Sequence, residues 1–278
     1  MSDGQKIPIL GTGLSGLVGS KFVELYQDQY DFQNIDRTVG IDITNEAQIK
    51  DIIFNSQAEH VIHFAAFTDV NIAHQQRGDK TGIAYQVNVL GTRYIAQAVK
   101  AANKHLVHIS TDFVFDGEKQ GLYVEEDPVN PIEWYGQTKA WAEEEVVNSG
   151  ANAVIFRISF PYRQDEFSKM DMLHRIKKQL ENGTLPPMFI DHTFTPTKIE
   201  EFSKTIDFAI QNNLTGLFHA STDPVTTDYE FAMKVKEQFG LSGDVKQGSL
   251  AEYLKTAQRP YQKNTAMSTE KLKILFSR

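Results

Sequence analysis

The sequence predicts an α/β protein with a Rossmann-type, doubly wound parallel sheet and a smaller C-terminal lobe. Short apolar segments alternate with longer amphipathic ones through the first half, as expected of repeated strand and helix units with right-handed crossovers. A glycine-rich turn follows the first apolar segment, and several prolines break up the alternation after residue 160. A chain of 278 residues is long enough for one large α/β unit with an attached lobe.

The buried strands are predicted from short apolar segments, and the helices from apolar residues three or four positions apart. In the third helix, for example, the apolar residues that recur at this spacing are Val87, Leu90, Tyr94, Ile95 and Ala98. First-half strands are predicted at 6–10, 32–35, 59–65, 105–109 and 152–158, with helices at 17–28, 45–57, 83–103 and 136–148. In the second half, strands are predicted at 187–190 and 216–221, with helices near 166–182, 198–212 and 227–239.

The overall composition argues against several classes of protein. A formal net charge of −8 disfavours a general nucleic-acid surface, which needs clustered Lys and Arg. The absence of Cys excludes disulfides, thiolate metal sites and a catalytic thiol. The first residues lack the features of a signal peptide, and no window approaches ~18 consecutive apolar residues. We therefore expect a cytoplasmic protein with neither a nucleic-acid nor a membrane partner.

The turn ILGTGLSGLVGS joins the first predicted strand to the first helix and contains Gly13, Gly16 and Gly19. Glycines at such a turn permit close approach of the backbone to a pyrophosphate, which then lies at the N-terminus of the helix. This GxxGxxG spacing is typical of short-chain dehydrogenase-like folds. The alternative for the turn taken alone is that its glycines serve only tight packing.

Asp36 follows the second predicted strand at roughly the ~20-residue offset where a carboxylate binds the ribose 2′-hydroxyl of NAD. Arg37 comes next and is suited to a 2′-phosphate instead. The choice between NAD and NADP therefore stays open, as does the alternative that these residues only form a polar turn.

Three polar residues, Ser110, Thr111 and Asp112, end the fourth predicted strand. In an open parallel sheet, ligands bind beyond the carboxyl ends of the strands, where the strand order reverses. We expect these side chains to point into that cleft, where a nicotinamide would lie. The segment alone leaves open the alternative that they cap a turn.

Tyr135 and Lys139 lie four residues apart at the start of a predicted helix and so share one face of it. A phenol with a pKa near ~10 is a poor acid–base catalyst at neutral pH. A neighbouring ammonium favours the phenolate, so we expect Lys139 to lower the pKa of Tyr135. Along the chain, this pair comes after the strand that ends with Ser110, Thr111 and Asp112.

Other conspicuous residues are interpreted as structural. His60 and His63, like His105 and His108, lie three apart in strands and face opposite sides of the sheet, so no metal site is predicted. The acidic run 143–145 and the basic pair 177–178 are interpreted as solvated helix faces. Trp134 and Trp141 are assigned to packing.

Seven segments together resemble the extended short-chain dehydrogenase/reductase superfamily, and within it the dTDP-4-dehydrorhamnose reductase family. They are the glycine turn, FAAFTDVNIA, VNVLGTR, HISTDFVFDG, EEDPVNPIEWYGQTKAWAE, TPTKIEEF and RPYQKNTAMSTEKL. The resemblance covers nearly the whole chain, and STDFVFDG with YGQTK is its most specific part. It implies NAD(P)H-dependent reduction of a 4-keto-6-deoxy nucleotide sugar, with NADP or NAD as cofactor.

The resemblance also implies roles for individual residues. Thr111 would hydrogen-bond the substrate carbonyl, Tyr135 would protonate its oxygen as hydride arrives, and Lys139 would hold the ribose. Asp112, Phe113, Phe160 and Arg259 would contact the sugar nucleotide together with Thr111. The cofactor would be bound by Gly13, Gly16, Leu17, Val18, Gly19, Asp36, Arg37, Asp42, Ile43, Ala65, Ala66, Phe67, Thr68, Asn88, Tyr135 and Lys139.

Three positions depart from the family pattern. The family usually has His where Phe67 stands, Tyr where Phe113 stands, and Trp-Val-Tyr-Gly where this chain has FPYR at 160–163. Aromatic positions near the expected sugar therefore lack a polar group. The chemistry is expected to be kept, while the identity of the sugar stays open.

We divide the chain into an NAD(P)-binding Rossmann domain, 1–160 with return segments at about 190–222, and a substrate-binding lobe, about 161–190 and 223–278. One alternative function is a nucleotide-sugar epimerase or dehydratase of the same superfamily. The dehydratases carry Asp-Glu after the strand threonine, where this chain has Asp112 and Phe113. Another is a non-catalytic NADP-binding regulatory subunit, as in the beta subunit of methionine adenosyltransferase. Related proteins often dimerise through helices matching 83–103 and 136–148, so a homodimer is predicted.

Overall fold

The computed structural model describes residues 6–277 of the chain. Its strands are β1 (Ile7–Thr12), β2 (Tyr30–Asn34), β3 (His60–His63), β4 (His105–Thr111), β5 (Asn152–Ile158), β6 (Pro161–Tyr162), β7 (Met188–Phe189), β8 (Thr193–Phe194), β9 (Thr197–Lys198), β10 (Gly216–His219), β11 (Thr226–Thr227) and β12 (Gln247–Gly248). Its α-helices are α1 (Leu17–Tyr26), α2 (Glu46–Asn55), α3 (Val70–Gln75), α4 (Ile83–Tyr85), α5 (Thr92–Ala101), α6 (Trp134–Ser149), α7 (Met172–Glu181), α8 (Ile199–Gln211), α9 (Asp228–Gln238), α10 (Leu250–Leu254) and α11 (Glu270–Phe276).

Six strands form a parallel sheet in the spatial order β2-β1-β3-β4-β5-β10. This sheet confirms the predicted fold class. The strand order reverses at β1, because β2 lies on one side of β1 and the later strands, starting with β3, lie on the other. The ligand crevice of such a fold is expected at the carboxyl end of β1.

Alternate residues of the central strands point to opposite faces of this sheet. On β1, Ile9 packs in the layer that contains α1, α8 and α11, whereas Leu10 packs in the layer that contains α2, α5 and α6. Phe22 and Phe156 are fully buried in the first of these layers. Burial of an aromatic side chain of this size stabilises the fold by roughly 1.5–3 kcal/mol.

The C-terminal part of the chain adds three short strand pairs around a second core. β6 pairs with β9 and β7 with β12, both in parallel, whereas β8 and β11 are antiparallel. Leu173 and Ile176 from α7 pack there with Phe194 from β8 and Phe231 from α9. β10, by contrast, extends the large sheet by pairing with β5.

Some elements differ from the sequence-based predictions. The helix expected at 83–103 is interrupted by a π-helical segment, Gln86–Gly91. The helix expected near 166–182 begins only at Met172, because the Asp171 carboxylate accepts hydrogen bonds from the backbone N–H groups of His174 (2.9 Å) and Arg163 (3.0 Å). Helices α3, α10 and α11 were not predicted. Within residues 6–277, every helix is too short or too polar to cross a membrane.

Candidate active site

The glycine turn between β1 and α1 leaves no room for side chains. Gly13 has a φ of 67°, and a Cβ atom there would lie 2.7 Å from the backbone nitrogen of Ala65. A Cβ atom on Gly19 would lie 2.4 Å from the carbonyl oxygen of Gly13. Gly16, just before α1, has no side chain to cap the helix, so the first N–H groups of α1 can bind an anion.

A cavity of about 650 Å³ extends from this turn along the carboxyl edge of the sheet. At one end it is lined by Asp36 and Arg37, and at the other by Thr111 and Tyr135. Most of the site residues predicted from the sequence line it together: Gly13, Gly16, Leu17, Val18, Gly19, Asp36, Arg37, Asp42, Ile43, Ala65, Ala66, Phe67, Thr68, Thr111, Asp112, Phe113, Tyr135 and Phe160. Its length and lining fit an extended dinucleotide.

At the Asp36 end of this cavity, charged groups are already engaged with the protein. Asp36 accepts hydrogen bonds from the backbone N–H (2.8 Å) and hydroxyl (2.5 Å) of Thr38, and from the Ser15 hydroxyl (3.3 Å). Arg37 is exposed and lies 2.9 Å from Asp42. A backbone hydrogen bond from Thr44 and the Arg37 guanidinium lower the pKa of Asp42. Both the carboxylate and the guanidinium line the cavity where a ribose would lie, and each is already oriented by protein partners.

At the other end, Asp112 is buried and bonded on both carboxylate oxygens. It accepts hydrogen bonds from the hydroxyls of Thr111 (3.0 Å) and Ser159 (2.6 Å). Burial raises the pKa of Asp112, against the effect of these hydroxyl donors. The carboxylate therefore fixes Thr111 and the end of β5 in relation to each other.

Ser110 does not share this position, so the expectation that it enters the cleft was wrong. Because side chains alternate along β4, Ser110 points to the α6 side and donates to Glu143. Glu143 also binds Arg157 at 2.9 and 2.6 Å, and both side chains are buried. The interpretation of residue 143 as part of a solvated face was therefore also wrong, because Arg157 neutralises it inside the fold.

Tyr135 and Lys139 lie on the first turns of α6, next to the end of β4. The helix begins where Glu133 accepts hydrogen bonds from the backbone N–H groups of Tyr135 (3.1 Å) and Gly136 (2.7 Å). The buried Lys139 ammonium donates to the Ile109 carbonyl at 2.7 Å. Burial lowers the pKa of Lys139 to about 8, against the effect of Glu143.

The pKa of Tyr135 is raised rather than lowered, contrary to the sequence-based expectation. Burial is the main cause, and the negative charges of Asp112 and Glu133 act in the same direction. These effects outweigh any benefit from the ammonium on the same helix face. Tyr135 is therefore held as a neutral phenol, the form that can donate a proton.

Asn88 lies behind the cavity rather than on its surface. It is buried in the π-helical segment, where its amide oxygen accepts from the Phe67 backbone N–H at 2.7 Å. Its amide nitrogen donates to the Phe67 carbonyl (3.1 Å) and to the Thr138 hydroxyl (3.0 Å). Asn88 therefore holds a cavity-lining segment against the helix that carries Tyr135.

A second cavity, of about 1130 Å³, opens from the first toward the C-terminal lobe. The two share lining residues that include Phe67, Thr68, Phe113, Phe160 and Lys169. We call this second cavity the lobe cleft. Thr111 and Tyr135 line the first cavity, and the shared residue Phe113 contacts Tyr135, so the two cavities meet next to Thr111 and Tyr135.

The wall between these cavities is aromatic. The ring centroid of Phe113 lies 5.6 Å from that of Tyr135 and 6.1 Å from that of Phe160. Phe160 has a φ of 39°, an unusual value for a bulky residue. Residues with strained backbone angles concentrate at functional sites. Here the strained residue is Phe160, whose ring lies where the two cavities meet.

Three cations line the lobe cleft, namely Lys169, Arg175 and Arg259. None of them pairs with a carboxylate within residues 6–277. Lys169 donates to the Thr68 hydroxyl at 2.8 Å, and the Arg259 guanidinium lies 3.6 Å above the Tyr261 ring. Unpaired cations in a protein of net charge −8 favour an anionic ligand.

Sequence reasoning missed several cavity residues, including Ser15, Lys169, Arg175 and His192. Ser15 lies inside the predicted turn and could have been found there. Lys169 and Arg175 belonged to a predicted helix and carried no local signal. The histidines assigned to strands pair across neighbouring strands, and no group of three metal-binding side chains occurs in the described part of the chain.

Fold and site together define a Rossmann-type nucleotide-binding protein whose dinucleotide-sized cavity ends at Thr111 and Tyr135, with Lys139 buried behind them on the helix that carries Tyr135. The family described as RmlD substrate binding domain matches residues 7–278, and the chain belongs to that family.

Individual relatives are similar over most of their length. A probable low-salt glycan biosynthesis reductase, Agl14, from Haloferax volcanii is 28% identical over 262 residues, covering 90% of this chain and 86% of the relative. Methionine adenosyltransferase 2 subunit beta from Bos taurus is 25% identical over 289 residues, covering 96% and 82%. The crystal structure of dTDP-4-dehydrorhamnose reductase from Bacillus anthracis in complex with NADP has a TM-score of 0.88 and 26% identity, covering 98% of this chain and 93% of that chain.

Proposed function

We propose that this protein is an NAD(P)H-dependent reductase of a 4-keto-6-deoxy nucleotide sugar, similar to dTDP-4-dehydrorhamnose reductase. One observation carries this proposal. A dinucleotide-sized cavity and a larger, cation-lined cleft meet beside the hydroxyls of Thr111 and Tyr135. A reductase needs this arrangement, because its cofactor and its ketone must meet at a proton donor.

The residues at the junction of the two cavities have different roles in reduction of the ketone. Bound NADPH or NADH supplies the hydride. When the substrate binds, Thr111 turns its hydroxyl proton from Asp112 to the carbonyl oxygen, and Tyr135 transfers its phenolic proton to that oxygen. The raised pKa of Tyr135, caused first by burial, keeps this proton in place at neutral pH. Lys139 holds the ribose beside them, and Asp112 orients Thr111 at 3.0 Å.

The first cavity is suited to the cofactor by its backbone rather than by charged side chains. The turn at Gly13, Gly16 and Gly19 receives the pyrophosphate, with Leu17 and Val18 supplying N–H groups. Asp36 and Arg37 face the adenosine ribose. Because a carboxylate suited to a 2′-hydroxyl and a guanidinium suited to a 2′-phosphate lie side by side, both NAD and NADP are candidates. The remaining contacts are assigned to Asp42, Ile43, Ala65, Ala66, Phe67 and Thr68, with Asn88 acting through Phe67.

The lobe cleft is suited to a nucleotide sugar. Arg175 and Arg259 provide positive charge for its diphosphate, and Phe113 and Phe160 provide an apolar surface for the sugar. An apolar wall next to the reacting carbon is compatible with a deoxygenated sugar, which exposes a methyl group in place of a hydroxymethyl group.

A second candidate function is a non-catalytic NADP-binding regulatory subunit. It is favoured by the similarity to methionine adenosyltransferase 2 subunit beta. An epimerase or dehydratase that oxidises and re-reduces its substrate is a further candidate, and it would keep its cofactor through purification. The set of Thr111, Tyr135 and Lys139 supports the reductase over the regulatory subunit, since a purely regulatory subunit needs no proton donor.

The test is to mix the protein with NADPH or NADH and dTDP-4-dehydro-6-deoxy-L-mannose and to follow cofactor oxidation by absorbance. Tyr135→Phe should lower the rate by about 10²- to 10⁴-fold, the usual contribution of a general acid. Tyr94→Phe is the matched control, because its hydroxyl makes no hydrogen bond within residues 6–277 and lies outside both cavities. Full activity of Tyr135→Phe would refute the proposed proton donor.

We also propose a cytoplasmic location and a homodimer formed through α5 and α6. The cofactor and the sugar nucleotide are cytoplasmic metabolites, which supports the location. A monomer mass by light scattering at micromolar concentration would refute the dimer.

A further inference from the structure

The lobe cleft contains a histidine that the reductase mechanism does not use. His192 precedes β8 and lines the cleft, and its Nδ1 lies 2.6 Å from the Asp228 carboxylate. Asp228 is the first residue of α9, where the helix dipole favours a negative charge. The Nδ1 atom is therefore the protonated one, and the lone pair of Nε2 is left free to act as a base.

The free nitrogen of His192 is open to a ligand. Among residues 6–277 no group bonds this Nε2, and it is not sealed from solvent as both ring nitrogens of His108 are. The imidazole is held by packing on two sides, with its ring centroid 5.3 Å from Phe194 and 5.8 Å from Phe160. An imidazole fixed in this way by a carboxylate and two aromatic rings is preorganised for acid–base work.

Two aromatic rings, Phe160 and Phe113, connect His192 with Tyr135 at the junction of the two cavities. His192 contacts Phe160, whose partner Phe113 contacts Tyr135. A second connection runs through the backbone, because the carbonyl of Thr193 accepts a hydrogen bond from the N–H of Thr265 at 2.8 Å.

The surroundings of Asp112 support the same placement. Burial raises the pKa of Asp112, whereas the hydroxyls of Ser159, Thr265 and Thr111 and the imidazole of His192 act in the opposite direction. The charge of His192 therefore acts on the carboxylate that orients Thr111. A sugar that reaches Thr111 and Tyr135 with its carbonyl from the lobe cleft has the rest of its ring in the cavity that His192 lines.

We propose that His192, oriented by Asp228, is a second acid–base group that exchanges the proton on a carbon next to the substrate ketone. This proposal rests on the proposed function, because only a ketone makes that proton acidic. The C–H bond breaks, the proton moves to Nε2, and the electron pair forms the C=C bond of an enolate. Thr111 and Tyr135 hydrogen-bond the enolate oxygen, and the proton returns to carbon after exchange with solvent. No oxidant or reductant is needed.

This activity distinguishes the protein from a simple reductase. A reductase that also enolises its substrate replaces the hydrogen on the carbon beside the ketone with one from solvent before hydride reaches the carbonyl. The class of substrate is then a keto sugar whose neighbouring carbon carries a hydrogen. Because His192 returns the proton to the face from which it took it, the configuration of that carbon is kept.

The experiment incubates the protein in D₂O with NADP⁺ and dTDP-4-dehydro-6-deoxy-L-mannose. NADP⁺ completes the site but has no hydride to give, so exchange occurs without reduction. Deuterium at the carbons next to the ketone is measured by proton NMR and by mass, and the rate without protein is subtracted. Reduction is measured separately with NADPH.

Wild-type protein should incorporate deuterium well above the protein-free rate. His192→Gln should lower this exchange at least about tenfold more than it lowers reduction. Asp228→Asn, which keeps the imidazole but removes its carboxylate, should also lower exchange more than reduction. It provides a second variant if His192→Gln does not fold.

His174→Gln is the matched control. His174 has the same kind of pairing, with Nδ1 2.9 Å from Asp171, and is buried to a similar degree, but it does not line the lobe cleft. It should exchange deuterium at the wild-type rate. Reduction without any exchange above the blank, or exchange that survives in both His192→Gln and Asp228→Asn, would overturn the role of His192. Absence of both reduction and exchange would instead overturn the proposed function.

Discussion

The two cavities that meet beside Tyr135 differ in the chemical groups that line them. The first begins at a glycine turn, where no side chain fits, and continues along the ends of strands β1 to β4, so backbone groups form its pyrophosphate end. The lobe cleft is lined by long side chains, such as Arg175, Arg259 and Phe189, from segments far apart in the chain.

This difference shows how one fold can keep its cofactor while changing its substrate. Every residue except proline supplies a backbone N–H, so this part of the site depends on the space that its glycines leave and not on particular side-chain groups. Side chains in the lobe cleft can change one at a time without disturbing the sheet. The aromatic residues Phe67, Phe113 and Phe160 lie where the two kinds of surface meet.

The largest expected effect comes from filling the glycine turn. Gly13→Val should weaken NADPH binding at least about a hundredfold, because its side chain would collide with the backbone of Ala65 and its φ is 67°. The dissociation constant is measured by fluorescence titration. Gly240→Val is the control, since Gly240 also has a positive φ, 62°, but a Cβ atom there meets nothing within 4 Å. Equal losses of affinity in both variants would contradict the role of the turn.

A smaller effect is expected from the charge of Lys139. Lys139→Met should weaken NADPH binding about tenfold at pH 7, the usual effect of losing a hydrogen bond from a charged group. The pKa of Lys139 is lowered to about 8 by burial, so the wild-type protein should lose the same affinity as the pH rises from 7 to 9.

Protonation of Lys139 has opposite effects on the two properties: it strengthens cofactor binding but destabilises the fold. The folded chain releases the Lys139 proton at a lower pH than the unfolded chain, so this residue destabilises the fold below about pH 8. That penalty is lost as the pH rises toward the ordinary value. Lys100→Met, on the exposed side of α5, should leave both pH profiles unchanged. A wild-type affinity that is flat from pH 7 to 9 would contradict the ionic role of Lys139.

The smallest effect is expected in the lobe cleft. Arg175→Met should raise the KM for the sugar nucleotide by about three- to tenfold, because an exposed charge pair contributes little. The KM for NADPH should not change, which separates the two cavities in one assay. Lys178→Met, on the same helix but outside the cleft, is the control. A parallel rise in the KM for NADPH would mean that Arg175 serves the cofactor instead.

The cofactor side of the site could be predicted because its signals are local. Gly13 and Gly16 belong to one turn, and Thr111 ends one strand. Two local inferences failed where tertiary contacts decided the outcome. Ser110 points away from the cleft because strand side chains alternate, and the pKa of Tyr135 depends on burial and on carboxylates that its spacing from Lys139 does not reveal.

The residues of the lobe cleft could not be predicted, because their contacts join segments that are far apart in the chain. Lys169 contacts Thr68, 101 residues away, and His192 pairs with Asp228, 36 residues away. Hydrophobic periodicity reports which face of an element is buried, but it does not report which distant side chain lies opposite. The fold class was therefore accessible from the sequence, whereas the lobe cleft required the structure.

The central claim is that a cofactor and a ketone meet at Tyr135, and hydride transfer tests it most directly. NADPH carrying deuterium at the transferable position of its nicotinamide should yield a sugar nucleotide with deuterium on the carbon that bore the ketone. Mass and NMR spectra of the product locate the label, and Tyr135→Phe should form that product far more slowly. A product without the label, or no product although NADPH and the sugar nucleotide both bind, would contradict the account.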